Sequence, residues 1–306
     1  MLSRRFLLLQ IVLILLLTVG CGLEQETDIP KKLTIGVVSY EQGAVSLDKY
    51  NRFKEYIAQK THSVVELEPT YNELQAIEQI QRKQWDIVFA PPGLVAIAIN
   101  KELYTPLFSM GGVSSRQRSL LVVLDDKPIK KIGDLAYKTI ALGQKGSAAG
   151  YYVPLYDLYG LTLAQISFAP TPKTILQWLS EGSVDAGALS EMDFELYRRE
   201  FPTIKFRILH ASRWIPSGVV LLGSTVERNL QQQIQKAMSE APADITADAG
   251  YVPTAKIPNY QQFIKLVEKV IPLEERVKQT PAVLRLEEQS EKSKVSQQSS
   301  QLRSAS

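Results

Sequence analysis

Apolar and polar positions alternate along the chain in blocks that predict strands and helices in turn. The apolar run at residues 33–40 has the length and composition of a buried β-strand. The following stretch places Tyr50, Phe53 and Ile57 on one face of a helix. Strands and helices continue to alternate up to about residue 110, a rhythm typical of a parallel-dominated sheet with helices on its faces.

A second set of strand and helix blocks follows, and two late strand-like runs are free to pair back onto the first set. We therefore predict an α/β protein of two lobes, each a mixed, mostly parallel sheet flanked by helices. We assign residues 33–113 plus 214–285 to lobe 1 and 114–213 to lobe 2, with crossovers near 111–121 and 210–220. Ligands of such folds bind between the lobes, beyond the carboxyl ends of strands.

The N-terminus has the pattern of an export signal. Arg4 and Arg5 precede an apolar run from Phe6 to Val19, which is short for a membrane span and is followed by the small residue Gly20. Residues 1–20 therefore predict a signal peptide, and residues 21–32 a tether.

Cys21, the only cysteine of the chain, directly follows Gly20. The arrangement resembles a bacterial lipoprotein signal, in which the cysteine becomes the lipidated first residue. Thr18 departs from the Leu usual in such signals. A plain signal peptide with a coincidental cysteine, or an uncleaved anchor, remain the alternatives.

Composition and charge are those of an ordinary globular protein and speak against nucleic-acid binding. The 306 residues carry 35 basic and 32 acidic side chains, and 45% of them are hydrophobic, as in an ordinary globular protein. No basic stripe stands out, so we expect no nucleic-acid partner. Residues 286–306 lack apolar periodicity and predict a disordered tail.

The most informative local pattern is a strand that stops at a turn rich in small residues and continues as an aromatic helix. Ser147, Ala148, Ala149 and Gly150 would begin that helix, where backbone N–H groups are uncovered and can hold an anion. The alternative is that Ser147 is only a helix N-cap, worth about 1 kcal/mol of stability.

Three motifs resemble those of the phosphonate- and phosphite-binding proteins of ABC importers, over roughly residues 31–285. The matching positions are Asp134, Leu135, Lys138, Thr139, Ser147, Gly150 and Pro154 around the turn, Asp86 and Pro91 after an earlier strand, and Gly182, Val184 and Asp185 in a later segment. The resemblance implies a two-lobed protein without catalytic activity that closes over a small anion and delivers it to a membrane permease.

Departures from the family pattern fall on the expected ligand contacts. Ala148 and Ala149 replace hydroxyl side chains, and no tyrosine follows Pro91 and Pro92. Ser190 lies where the family commonly has an acidic residue that binds an amine or a ligand proton. The ligand is therefore open among phosphonate, phosphite, phosphate and a non-phosphorus organic solute.

Side chains near the predicted cleft add further candidates. Tyr40 ends the first strand, where side chains commonly face a cleft. Arg118, and with it Arg116, lies near a crossover and could clamp an oxyanion with two hydrogen bonds. Arg213 and Trp214 lie near the other crossover.

Other patterns speak against a metal site or an enzyme. His62 and His210 are too few and too far apart to predict metal binding. Asp193 and Glu195 are two residues apart and point to different sides of a helix, which favours a solvated face. No nucleophile motif occurs, so we predict no catalytic residue and no cofactor.

Together these patterns predict an extracytoplasmic, lipid-anchored solute-binding protein of an ABC importer. Its expected partners are a small oxyanion, the permease and, through its lipid, the membrane; we expect a monomer. A sensory module that reports ligand to a membrane receptor is the alternative from another class, and an enzyme on the same fold is disfavoured for lack of a cleft cysteine.

Overall fold

The computed structural model describes residues 31–38, 45–101, 103–111 and 117–286 of the chain. Contacts group the described residues from Lys32 onward into one compact unit. The predicted signal peptide, the lipidation site and the predicted tail beyond residue 286 lie outside the described residues, and the predicted lobe boundaries stay a prediction.

Strands and helices alternate as the hydrophobic pattern predicts. The strands are β1 Lys32–Val38, β2 Val64–Thr70, β3 Ile87–Ala90, β4 Tyr104–Met110, β5 Ser119–Leu124, β6 Thr139–Leu142, β7 Thr162–Leu163, β8 Gln165–Phe168, β9 Ala186–Ser190, β10 Phe206–Ala211, β11 Val219–Gly223, β12 Tyr251–Val252 and β13 Ala282–Val283. The helices are α1 Val45–Thr61, α2 Glu73–Gln81, α3 Pro92–Asn100, α4 Val153–Asp157, α5 Pro172–Ser180, α6 Glu191–Tyr197, α7 Arg228–Ser239, α8 Ala243–Ala249 and α9 Gln261–Val270. A π-helical turn, Ala148–Tyr152, leads directly into α4.

The strands form two large sheets. The first sheet has the order β12-β4-β11-β3-β1-β2, and the second has the order β10-β5-β9-β6-β8. The chain builds β1 to β4, crosses to the second sheet for β5, β6 and β8 to β10, and returns to insert β11 between β3 and β4. β7 pairs with β13 in a separate two-stranded sheet. The late segments thus complete the sheet that the early segments begin.

Both sheets are mixed, and antiparallel pairs are as prominent as parallel ones. In the first sheet β1 runs parallel to β2 and β3, whereas β11 runs antiparallel to both of its neighbours. In the second, β6 runs parallel to β8 and β9, whereas β5 runs antiparallel to β9 and β10. The predicted α/β class is confirmed. The sheets contain more antiparallel pairs than expected, because β5 and β11, the first strand after each crossover, run antiparallel to both of their neighbours.

The two sheets share part of their hydrophobic core. One buried cluster contains Val88 and Leu221 of the first sheet together with Leu121 and Ile140 of the second. Trp85, at the start of the β3 region, is fully buried in the same cluster. The apolar runs that the sequence marks as strands therefore become the walls of a common interior.

Helix starts follow from local sequence. α3 begins with Pro92 and α5 with Pro172. Proline suits the first helical position because the N–H that it lacks would have no intrahelical acceptor there. Asn72 caps α2 by accepting a hydrogen bond from the backbone N–H of Gln75 at 2.9 Å. At the C-terminal end of α8, Gly250 adopts the left-handed backbone conformation with which many helices end.

Candidate functional site

A cavity of about 470 Å³ lies where the carboxyl ends of parallel strands from both sheets meet. Val38 ends β1 and Pro91 follows β3 on the side of the first sheet. Gly143, Ala169 and Ser190 follow or end β6, β8 and β9 on the side of the second. Because loops at this edge lead into helices, the cavity is surrounded by helix starts.

Five helix N-termini border the cavity. Each has a first-turn or capping residue in the lining: Glu73 for α2, Pro91 for α3, Ser147 for the π turn, Thr171 for α5 and Ser190 for α6. The N-terminus of a helix carries a partial positive charge and N–H groups without intrahelical acceptors. Their convergence makes the cavity favourable for an anion.

The turn between β6 and α4 has a tightly defined backbone. The Ser147 hydroxyl oxygen accepts a hydrogen bond from the Gly150 N–H at 3.0 Å, and Gly143 N–H donates to the Gly150 carbonyl at 2.9 Å. Gly146 has a φ of 107°, a region that side chains disfavour. Ser147 is thus an N-cap, and the amides of Ala148 and Ala149 are the first of the helix, at the cavity wall.

The turn is held to both sheets. Ser119 of β5 donates a hydrogen bond from its hydroxyl to the carbonyl of Ala149 at 2.6 Å. On the other side, Gly93 of α3 approaches so closely that a Cβ there would overlap the carbonyl oxygen of Gly146. The segment with the predicted anion-binding amides is therefore fixed between the first and the second sheet.

The two tyrosines that begin the aromatic helix are both core residues. Tyr151 and Tyr152 are 3% and 1% exposed, and their rings meet edge to face with centroids 5.2 Å apart. Neither belongs to the cavity lining. Burial raises the pKa of both phenols.

Ser190 and Asp193 form a polar pair in the cavity wall. The Ser190 hydroxyl donates to an Asp193 carboxylate oxygen at 2.5 Å and accepts from the Asp193 backbone N–H at 3.0 Å. Burial raises the pKa of the Asp193 carboxyl, although the hydrogen bond from Ser190 acts in the opposite direction. The expectation of a solvated face is wrong for Asp193, because α6 turns this side chain into the cavity, and it holds for Glu195, which is exposed.

Asp193 is an acidic residue of the cavity that the sequence analysis assigned to a solvated face. A Ser-x-x-Asp pattern at a helix start is the sequence signature of a capping box, and it would have drawn attention to this residue. Glu73, at the start of α2, and Lys49, in α1, also line the cavity. Gln117 and Thr171 add polar side chains that no motif indicated.

Arg118 lies beside the cavity and is engaged with a carboxylate. Its guanidinium donates to both carboxylate oxygens of Glu191, at 3.2 and 2.9 Å. It also stacks on the ring of Trp214, 4.4 Å from the centroid. Arg118 does not belong to the cavity lining, so its role as an anion ligand stays a prediction.

The remaining candidates are dispersed. Tyr40 and Arg116 lie outside the described residues. Arg213 and Trp214 line a separate cavity of about 640 Å³ together with Asp157, whose carboxylate lies 3.3 Å from Nε2 of His210.

The described residues show neither a metal cluster nor a membrane-spanning element. Within that part of the chain, no three His, Cys, Asp or Glu side chains are grouped so that they could hold a metal ion. None of the helices described combines the length and the apolar character that crossing a membrane requires.

Two mixed α/β sheets that share one cavity at their strand ends are the arrangement of type II periplasmic binding proteins, the class to which the chain's structural neighbours belong. The family model described as "ABC transporter, phosphonate, periplasmic substrate-binding protein" matches residues 35–266, more than half of the chain. The chain belongs to this family. No curated protein matches it in sequence.

Solved structures with the same fold are distant in sequence. XAC2383 from Xanthomonas citri, solved with chloride, has a TM-score of 0.68 at 18% identity, covering 79% of this chain and 99% of that one. The same protein solved with ATP has a TM-score of 0.67 at 17% identity, covering 79% of this chain and 98% of that one. PhnD1 from Prochlorococcus marinus, in complex with methylphosphonate, has a TM-score of 0.62 at 16% identity, covering 79% of this chain and 99% of that one. At these identities the likeness establishes the fold alone.

Family membership carries four coarse conclusions. The family binds small-molecule ligands, works with an ABC permease, acts outside the cytoplasm and serves transport rather than catalysis.

Proposed function

We propose that this protein is the lipid-anchored substrate-binding component of an ABC importer, and that it captures a small oxyanion of the phosphonate, phosphite or phosphate type in the 470 Å³ cavity. The observation that carries the proposal is the convergence of five helix N-termini on this cavity. Backbone amides at helix starts bind oxyanions without needing hydroxyl side chains. The loss of hydroxyls at Ala148 and Ala149 therefore leaves anion binding intact.

Lobe closure would couple binding to transport. Pro91 and the start of α3 face the ligand from the first sheet, whereas Ser147, Thr171 and Ser190 face it from the second. A ligand that contacts both sides stabilises the closed arrangement by the contacts that only this arrangement allows. The permease then distinguishes loaded from empty protein by shape.

Asp193 places a condition on the ligand. A fully deprotonated oxyanion beside its carboxylate would be repelled, whereas a ligand that keeps a proton or carries an ammonium group can donate a hydrogen bond to it. We therefore expect Asp193 to select ligands with such a donor. Asp193 would thereby supply the carboxylate that the family commonly has at the position of Ser190.

Cys21 would anchor the protein through lipid. A single acyl chain gives only marginal membrane binding, so stable anchoring needs the multiply acylated form that bacterial lipoproteins carry. Replacement of Cys21 by serine should release the full chain from the membrane fraction, and retention of the variant in that fraction would contradict lipidation at this residue.

A ligand screen tests the binding proposal. The chain from residue 22 onward is melted with phosphite, phosphate, methylphosphonate, 2-aminoethylphosphonate, sulfate and small carboxylates. A ligand at a hundred times its dissociation constant stabilises the protein by about 2.7 kcal/mol, a readily measured shift. We expect one phosphorus oxyanion to produce it.

Matched variants locate the binding. Ala149→Leu fills the cavity wall and should abolish the shift, whereas Ala247→Leu, on the exposed side of α8, should leave it unchanged. A shift with carboxylates alone would favour a non-phosphorus organic solute. No shift with any anion in the panel would exclude this ligand class.

A further inference from the structure

The cavity continues beyond the anion-favouring helix starts into an apolar wall. Met192, Leu196 and Tyr197 of α6 line this wall, and Pro172 lies beside it at the start of α5. We propose that the ligand is an oxyanion that carries an apolar organic group of several carbons, and that this group binds against Met192 and Leu196 of α6. The inference rests on the proposed oxyanion function and names its substrate class.

The side chains of Met192 and Leu196 on α6 do not pack in the hydrophobic core. The helix buries Phe194, which is 3% exposed, against the second sheet. At 100° per residue, Met192 and Leu196 each point about 160° away from Phe194 and lie about 40° from each other. They form one apolar stripe on the outward face, 40% and 56% exposed. An exposed apolar pair that lines a cavity is typical of a binding surface.

The strand order directs a ligand toward this wall. β6 lies between β8 and β9, so the turn after β6 is flanked by α5, which follows β8, and by α6, which follows β9. An oxyanion held at the amides of Ala148 and Ala149 therefore has a helix on each side, and Met192 and Leu196 lie on the side of α6. A substituent that extends from the anion toward α6 meets these two side chains.

The size of the cavity agrees with a substituted ligand. Its volume of about 470 Å³ falls within the range of roughly 300–1,000 Å³ that is usual for pockets of organic ligands. Phosphite or phosphate has only a few heavy atoms and would leave most of this space to water against Met192 and Leu196. Covering these side chains with a hydrocarbon group removes that apolar surface from water, which is favourable.

Calorimetric titration with a series of ligands tests the proposal. The chain from residue 22 onward is titrated with phosphite, methylphosphonate, propylphosphonate and phenylphosphonate. Each methylene group that becomes buried should strengthen binding about fourfold, so propylphosphonate should bind roughly tenfold or more tightly than methylphosphonate.

Paired variants assign the gain to α6. The double variant Met192→Gln/Leu196→Gln should keep its affinity for methylphosphonate and lose most of the gain for propylphosphonate. Ile208→Gln, which replaces a 46% exposed side chain of β10 outside the cavity, should keep both affinities. Melting curves without ligand verify that each variant is folded.

The outcomes separate this inference from the proposed function. Equal affinity for methyl- and propylphosphonate in the unmodified protein would overturn the apolar-group proposal and leave oxyanion binding standing. A double variant that loses methylphosphonate as strongly as propylphosphonate would overturn it as well. No binding of any member of the series or of phosphate would overturn both proposals.

Discussion

At the scale of single residues, the site combines groups that favour binding over stability. Asp193 is the main example, because burial raises the pKa of its carboxyl while only one described side chain, Ser190, donates a hydrogen bond to it. A buried carboxylate that must ionise at neutral pH costs folding free energy. Such a cost is expected where a ligand, rather than the protein, supplies the missing hydrogen-bond donor.

Asp193→Asn should therefore stabilise the empty protein at pH 7. The folded-state pKa of Asp193 lies above its unfolded value, so its contribution to stability is lost as the pH rises from the ordinary aspartate value through the raised one. The advantage of the variant should shrink as the pH falls toward that ordinary value. Urea unfolding at several pH values measures it.

Asp126→Asn, at an exposed turn, is the matched control and should change stability little at any pH. Lower stability of Asp193→Asn than of the unmodified protein at pH 7 would contradict this account. Asp193→Asn should also bind a proton-donating oxyanion more weakly than the unmodified protein does.

Ser147→Ala tests the cap of the turn. Loss of the hydrogen bond from Gly150 N–H to the Ser147 hydroxyl oxygen should lower the free energy of unfolding by about 1 kcal/mol. Denaturant unfolding checks this, with Ser224→Ala at an exposed turn as the control. Equal effects of the two substitutions would show that the cap contributes nothing specific.

At the scale of elements, the start of α3 fits against the turn before α4. Gly93 allows this approach because a side chain there would meet the Gly146 carbonyl oxygen and, at 3.0 Å, the Ala148 nitrogen. The contact joins a helix of the first sheet to the anion-favouring turn of the second. The position of the turn thus depends on the residue that follows Pro92.

Gly93→Ala should push the turn away from α3. We expect a loss of stability of roughly 1–3 kcal/mol, as for overpacking of a close contact, and weaker ligand binding. Gly133→Ala is the control, since its Cβ would lie 3.9 Å from the nearest atom, in the flexible side chain of Lys131. A neutral Gly93→Ala substitution would contradict the tight fit.

The pair of Arg118 and Glu191 ties the crossover to the first residue of α6. Both side chains are about one-third exposed, so we expect the pair to contribute about 0.2–1 kcal/mol in a double-mutant cycle. A clearly larger value would contradict this expectation. If Arg118→Ala weakens anion binding more than Glu191→Gln does, Arg118 contacts the ligand as the sequence predicts.

At the scale of the whole molecule, two sheets share one cavity and are joined by two crossovers. The chain passes from β4 to β5 and returns from β10 to β11, and Gln117 and Ile215 form a backbone bridge between the crossover segments. Because hinges consist of a few connecting residues that absorb large backbone changes, we expect these crossovers to act as a hinge on ligand binding.

Ligand binding should therefore make the protein more compact. We expect the radius of gyration, measured by X-ray scattering on the chain from residue 22, to fall at saturating ligand. Ala149→Leu, which blocks the cavity, should show no change under the same conditions. An unchanged radius for the unmodified protein with bound ligand would exclude closure as the signal to the permease.

The sequence by itself determined the elements and the turn at Ser147–Gly150, because hydrophobic periodicity and helix-start signals are local properties of the chain. It also carried the resemblance to the phosphonate-binding family, and the family match confirms that membership. Helical spacing correctly separated Asp193 from Glu195 onto different sides of α6. It could not say which side faces solvent.

Tertiary structure alone decided how these parts combine. Ser190, Asp193 and Thr171 reach the turn after β6 only because β8 and β9 flank β6, and strand order is not encoded in any one segment. The same packing buried both Tyr151 and Tyr152 and left Met192 and Leu196 exposed at the cavity. Local sequence fixes what a segment can form, whereas contacts between distant segments fix which of its faces meets the core, the solvent or a ligand.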